Sequence, residues 1–267
     1  MKIRHIKKEA KATLKKLPGK YTLFLIPILI QFALIGLQVH KNHLIGEGVQ
    51  MSLTASFFPI LLNIIAGFFT LSAAFTMISV IRNKRQSVSF SDTSLAFSTD
   101  YFGKIIVLYL LKTLLILVWS LVLFLGLALL IISYFAYLSN AGGGASTNLS
   151  LLFGVLGFLI TIVGLALSIN RQLAYGMAEF LLFDSLQNGT YIGPLVLIEK
   201  SVAMMKGFKW KYFLLGLSFI GWYFLAIISL GLAYIYLLPY ITTSSVYFYE
   251  HLRQEKNISN EQIPTLD

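Results

Sequence analysis

From Phe213 to Tyr249 the chain runs for 37 residues without a single charged side chain. As one straight helix at 1.5 Å per residue that run would measure about 55 Å, well beyond the roughly 30 Å of a bilayer's hydrocarbon core. Two spans of about 18 residues each fit the same length, with a turn near Ser229-Leu230-Gly231. Basic residues flank both ends: Lys206, Lys209 and Lys211 before the run, Arg253 and Lys256 after it. Basic flanks mark the cytoplasmic side of a membrane, so the run reads as a hairpin turning outside. Soluble domains carry about 25% charged residues; here 12% are charged and 57% apolar. The sequence predicts an all-α integral membrane protein.

Applied to the rest of the chain, the same length argument predicts six transmembrane helices, over about 21–39, 57–81, 105–138, 149–170, 213–230 and 232–249, within one membrane domain covering 21–251. Span 1 contains Pro27 and Gln31, and span 2 contains Pro59 and Asn63. Span 2 stops at Arg82-Asn83-Lys84-Arg85, a basic cluster that places its end in the cytoplasm. His40–Gln50 then lies outside, and the Ser- and Thr-rich segment Gln86–Asp100 reads as a cytoplasmic loop. A flexible outer turn is expected at Asn140–Ser146, around Gly142-Gly143-Gly144. Gly154, Gly157, Gly164 and Ala166 give span 4 small faces suited to close helix contact. Residues Leu173–Phe183 read as a helical extension along the inner interface. Leu195, Ile198, Val202 and Met205 predict a second interfacial helix. Residues 252–267 form a short tail, and both termini are expected in the cytoplasm.

Eight of the 21 basic residues fall within the first twenty positions. Between the lysines, Ile3, Ile6, Ala10, Leu14 and Leu17 recur at three- and four-residue spacing, which predicts a basic amphipathic helix over 1–20, stopped by Pro18-Gly19. Because this segment abuts a span, its charge is matched to anionic membrane lipid, and no nucleic acid is expected. The apolar stretch that follows resembles a signal peptide without an Ala-x-Ala-like cleavage site, so it reads as a retained anchor. The absence of cysteine removes disulfides, thiol nucleophiles and cysteine metal sites.

Chemistry-bearing motifs are sparse. His40-x-x-His43 with Glu47 has ligand types for zinc but no fourth ligand, and no metal or cofactor is expected. The glycine triplet lacks the Lys-Ser/Thr of a phosphate loop. No Ser/His/Asp set and no paired carboxylates converge, so no enzymatic activity is expected. The candidate functional residues are polar groups at membrane depth, where burial is costly: Gln31, Asn63, Lys112, Arg171, Glu179 and Asp184. Lys112 either pairs with Glu179 or Asp184 or extends its ammonium to the interface. The favoured function is non-enzymatic, through contacts with lipid, a membrane-protein partner or a second copy. The alternative is a transporter or channel for a small or amphiphilic solute, with Gln31 and Asn63 on a polar path through the proline-bearing spans.

The C-terminal third carries a resemblance. Lys206-Gly207, Ser218-Phe219, Gly221-Trp222, Pro239-Tyr240 and Phe248-Tyr249-Glu250, with Ser201, Met205, Phe213 and Leu230-Gly231, look like a family of polytopic membrane proteins of low-GC Gram-positive bacteria, the domain of unknown function nine-seven-five. Tyr175 and Asp184 match a tyrosine-and-aspartate region upstream, and the basic start with Lys11 and Leu14 fits the family's beginning. Between Trp119 and Tyr175 the chain departs from the family, with a longer apolar stretch and a glycine turn in place of a Pro-Gly-Ile break. The resemblance implies an integral protein of the bacterial plasma membrane and brings no catalytic residues. Within span 5, Gly221 is expected to allow close helix approach beside Trp222, and Pro239 to break span 6.

Overall fold

The computed structural model describes residues 2–49, 52–139 and 146–256, and all regular structure among them is helical. In chain order the helices are α1 (Ile3–Lys16), α2 (Lys20–Leu23), α3 (Leu25–Gly46), α4 (Leu53–Ile81), a 3-10 helix (Phe90–Phe97), α5 (Phe102–Ser139), α6 (Ser146–Ala174), α7 (Ala178–Gln187), α8 (Pro194–Met205), α9 (Lys209–Leu217), α10 (Ile220–Ile228) and α11 (Tyr234–Glu255). Five helical stretches are long and apolar enough to cross a membrane: Leu25–Gly46, Leu53–Ile81, Phe102–Ser139, Asn148–Gln187 and Lys209–Ile228. α11 is not among them, because Thr242, Thr243, Ser244, Ser245 and several tyrosines dilute its apolar residues. Most of the glycine turn expected at Asn140–Ser146, and the tail beyond Lys256, lie outside the described residues.

The chain divides into two compact units. One comprises residues 1–105, 179–191 and 210–267; the other comprises 106–178 and 192–209.

In the first unit the core is built on α4 and α11. From Ala66 to Ile78 most of α4 is buried, and α11 is buried from Leu237 to Leu252 on its inward face. Helix α1 runs antiparallel along α11: Thr13 Oγ1 lies 2.6 Å from the Tyr247 hydroxyl, while His251, one turn later, meets Glu9, one turn earlier. The apolar stripe Ile6, Ala10, Leu14 and Leu17 is at most 6% exposed. It is therefore covered by protein and not left for acyl chains, while Lys8, Lys11, Lys15 and Lys16 stay exposed.

Three segments differ from the sequence expectation. α3 continues through His40–Gly46, where a loop was expected, supported one turn apart by Gln38 Nε2 donating to Asn42 Oδ1 (2.9 Å) and by the His43–Glu47 contact (3.5 Å). Such pairs at four-residue spacing extend a helix past its apolar segment. The expected loop at 86–100 contains the 3-10 helix, laid against α4. Phe97 packs on Phe68 and Phe69, and the Ala96 amide donates to the buried Ser72 hydroxyl at 2.8 Å. Pro239 does not break α11, which continues on both sides of it.

The long uncharged run folds as three helices. Between α9 and α10 the chain breaks at Ser218-Phe219, and Lys7 of α1 donates to the Ser218 carbonyl (3.0 Å) and hydroxyl (3.1 Å). The Lys7 ammonium also lies 4.3 Å from the centre of the Phe219 ring. Between α10 and α11 the chain reverses through Leu230 (φ +48°) and Gly231 (φ +91°). A Cβ on Gly231 would come within 2.5 Å of Ile35 Cδ1, so both the left-handed backbone and the space favour glycine there. The reversal is antiparallel: Trp222 packs on Tyr236 and Phe219 on Tyr240, both with ring centres 5.1 Å apart.

The second unit is built on the α5–α6 pair. Ser150, Gly154, Gly157, Thr161, Gly164 and Ser168 recur along α6 at alternating four- and three-residue steps, which places them on one stripe. They face Ser133, Leu130, Gly126, Leu123 and Ser120 in descending order, so the helices are antiparallel. A Cβ on Gly157 would lie 2.9 Å from Leu130 N, and one on Gly164 would collide with the Leu123 backbone. The outward faces are apolar and open, as at Leu110 (66% exposed) and Leu151 (65%). α8 is tied to the α6–α7 junction by Ser201, whose hydroxyl donates to Ala174 O (2.7 Å) and accepts from Met177 N (3.1 Å).

Candidate functional site

Arg82 caps the C-terminus of α4, and its guanidinium is enclosed by two carboxylates. Nη1 and Nη2 donate to Asp184 Oδ1 and Oδ2 at 2.6 and 2.9 Å, a bidentate pair. Nε and Nη2 donate to Glu250 Oε1 at 3.0 and 2.6 Å. The Tyr249 hydroxyl donates to Asp184 Oδ2 at 2.6 Å, and Arg253 Nη1 stands 3.8 Å from the same oxygen. The side chains of Arg82, Asp184 and Glu250 are 16%, 9% and 12% exposed. Burial alone would lower the Arg82 pKa, but hydrogen bonds to and charges on Asp184 and Glu250 outweigh it and raise it further. The fork is thus permanently charged, and four of its N–H donors are taken up by α7 and α11. Two cations and two anions balance, and the arrangement works as a clamp joining α4, α7 and α11. Around it Phe183 stacks on Phe75 (4.9 Å) and Phe180 packs on Tyr249 (5.3 Å).

A second feature of this unit is a cavity of about 190 Å³ bounded by Lys11, Leu14, Lys15, Lys20, Tyr21, Tyr236 and Pro239. α1 supplies two lysines, because Lys11 and Lys15 are four residues apart on one face. Lys20 Nζ donates to Leu14 O at 2.6 Å and lies 5.1 Å from the centre of the Tyr21 ring. Leu14 and Pro239 are buried and floor the site. Three lysines and two tyrosines thus line the cavity together with an apolar leucine and proline.

Of the expected residues, the clamp unites Asp184, Tyr249 and Glu250; the partner it gives Asp184 is Arg82. Arg82 enters the sequence reading only as a marker of sidedness, since its ligands lie 102 and 168 residues away. Glu179 is buried on α7, and Lys112 is half-buried on α5. Arg171, near the end of α6, lies 3.9 Å from the centre of the Trp119 ring, a cation–π contact within the second unit. Gln31 is half-buried on α3. Asn63 is exposed on α4, and its amide donates to Pro59 O of its own helix at 2.9 Å.

The signature positions are also placed. Lys206 and Gly207 (φ +86°) form the turn after α8. Ser218 and Phe219 mark the α9–α10 break, and Trp222, Pro239 and Tyr240 line the α10–α11 reversal. Phe248 is fully buried and packs on Tyr212 at 4.8 Å. Gly221 does not serve close approach: it is exposed, and a Cβ there would meet nothing within 4 Å.

The family described as Protein of unknown function (DUF975) matches residues 1–256. The chain belongs to this family. Its membership covers the clamp and the lysine-lined cavity alike. No curated protein and no solved structure matches the chain.

Proposed function

We propose that this family member is a non-enzymatic, multi-pass protein of the bacterial plasma membrane that binds an anionic lipid headgroup at its cytoplasmic face. The observation that carries this reading is the cavity of Lys11, Lys15 and Lys20 over Leu14 and Pro239. At about 190 Å³ it falls below the roughly 300–1,000 Å³ of sites that enclose a drug-sized ligand, so it takes a phosphate headgroup and leaves the acyl chains in the bilayer. With the apolar stripe of α1 held by α11, the lysine face is fixed outward. Support for a common cytoplasmic side comes from His5 and Glu9 meeting His251, which joins the Lys-rich start of the chain to the basic end of α11 at Arg253.

The test is lipid-dependent thermal stability of the purified full chain in detergent. Phosphatidylglycerol should raise the Tm and phosphatidylcholine should not, and the difference should vanish in a Lys11→Gln, Lys15→Gln, Lys20→Gln variant. Equal stabilisation by both lipids would refute headgroup recognition. Solute flux in proteoliposomes that Asn63→Leu abolishes would replace this reading with transport.

A further inference from the structure

Two helices far apart in the chain place three metal-ligand side chains together at the other end of α1. Glu9 Oε2 is 3.0 Å from His5 Nδ1 and 2.7 Å from His251 Nε2. All three ligand atoms lie within 4.8 Å of one another. The imidazole rings meet edge to face with centres 5.8 Å apart. His5 and Glu9 share a face of α1 by their four-residue spacing, and the antiparallel docking of α11 brings His251 to the same point. Glu9 and His251 are 29% and 27% exposed, and His5 is 62% exposed, so the group is held by packing yet open to solvent.

We propose that His5, Glu9 and His251 form a binding site for a zinc-type divalent cation that fastens α1 to α11. Two imidazoles and one carboxylate are the donor set of three-ligand zinc sites, which keep a fourth position open for water or an added ligand. With bonds of about 2.0–2.2 Å, tetrahedral ligand atoms stand about 3.3 Å apart. As the ion enters, Glu9 Oε2 therefore withdraws by a few tenths of an ångström from each imidazole, and the two imidazole nitrogens, within 4.8 Å of one another, draw together toward that spacing. Without metal the two rings converge on a single carboxylate oxygen through their N–H groups. With metal the same two nitrogens present lone pairs, and the carboxylate charge offsets half of the ion's. The local motif His40-x-x-His43 with Glu47 is the contrasting case: it lies exposed along one helix, with no second element bringing a further ligand among the described residues.

The experiment uses the full chain in detergent, purified through a tag without histidine and stripped with a chelator, with zinc chloride as the probe and magnesium as the control. Zinc should bind at one ion per chain and raise the Tm by several degrees; magnesium should leave it unchanged. Both zinc effects should be lost in His251→Ala and in Glu9→Gln and retained in His43→Ala. Since each variant is compared with its own metal-free form, a general loss of stability does not mimic a loss of zinc response. Absence of zinc stabilisation in the unaltered chain, or an equal zinc response in His251→Ala, would overturn the proposal, as would its loss in His43→Ala.

Discussion

The α5–α6 pair and the α4–α11 core hold helices together by opposite means. In α5–α6 the contact stripe is made of what is missing: Gly126, Gly154, Gly157 and Gly164 remove side chains so that backbones meet. Around α4 and α11 the contact is made of what is added, the guanidinium of Arg82 between Asp184 and Glu250. The first meets a constraint that the second, beyond the end of α4 and on a helix too polar to span, does not share. Between lipid-bathed helices the hydrophobic effect gives no net attraction, so association rests on close packing or on hydrogen bonding. The first solution adds serine contacts at either end, Ser133 donating to Ser150 O and Ser120 meeting Ser168, and leaves two long apolar faces open. The second joins three segments at one point and fails if any member is removed. Packing is graded; the clamp is all or none.

The largest expected effect breaks the clamp. Arg82→Met removes the cation hydrogen-bonded to both carboxylates, leaving Arg253 at 3.8 Å from Asp184, and should cost about 3–5 kcal/mol of unfolding free energy, measured by denaturant titration in mixed micelles. Replacing Arg82, Asp184 and Glu250 together by Met, Leu and Met should recover most of that, since an apolar substitute avoids the desolvation cost. A triple variant as unstable as the single one would show that shape, not charge, matters there. Next comes the glycine stripe: Gly164→Leu should cost about 1–3 kcal/mol and reduce crosslinking between cysteines that replace Ser133 and Ser150, with the clamp untouched. The smallest effect is expected from Arg171→Gln, which removes the cation–π contact to Trp119 for about 0.5–1 kcal/mol, read as a small Tm shift.

How much of this was legible beforehand follows from distance along the chain. Helical class, membrane character and the reversal near Gly231 are local properties of length, charge and glycine, and they read directly. The small faces of α6 read locally too, because helical periodicity places Gly154, Gly157 and Gly164 on one side. Arg82 did not, since a charge beside an apolar run looks the same whether it faces water or a buried carboxylate. Likewise the break at Ser218 gave no clue that its carbonyl is met by Lys7, 211 residues earlier. Gly221 shows the reverse error: a small residue in an apolar helix implies close contact, yet its surroundings are open. For the site, lysine density pointed to lipid, but the cavity needed Tyr236 and Pro239 from α11 to take shape.

The docking of α1 on α11 also bears on how the protein is made. Ile6, Ala10 and Leu14 leave the ribosome before any of the residues that will cover them, since synthesis runs from the N-terminus; Glu9 and His251 are 242 positions apart. Until α11 is made the apolar stripe lacks the helix that covers it, and on the proposed reading its lysines keep it at the membrane surface. Completion of α11 then gives the stripe its protein cover. The lysines are left outward-facing in the finished chain, so on the proposed reading the docking of α1 is an exchange of surfaces by a segment made well before its partner.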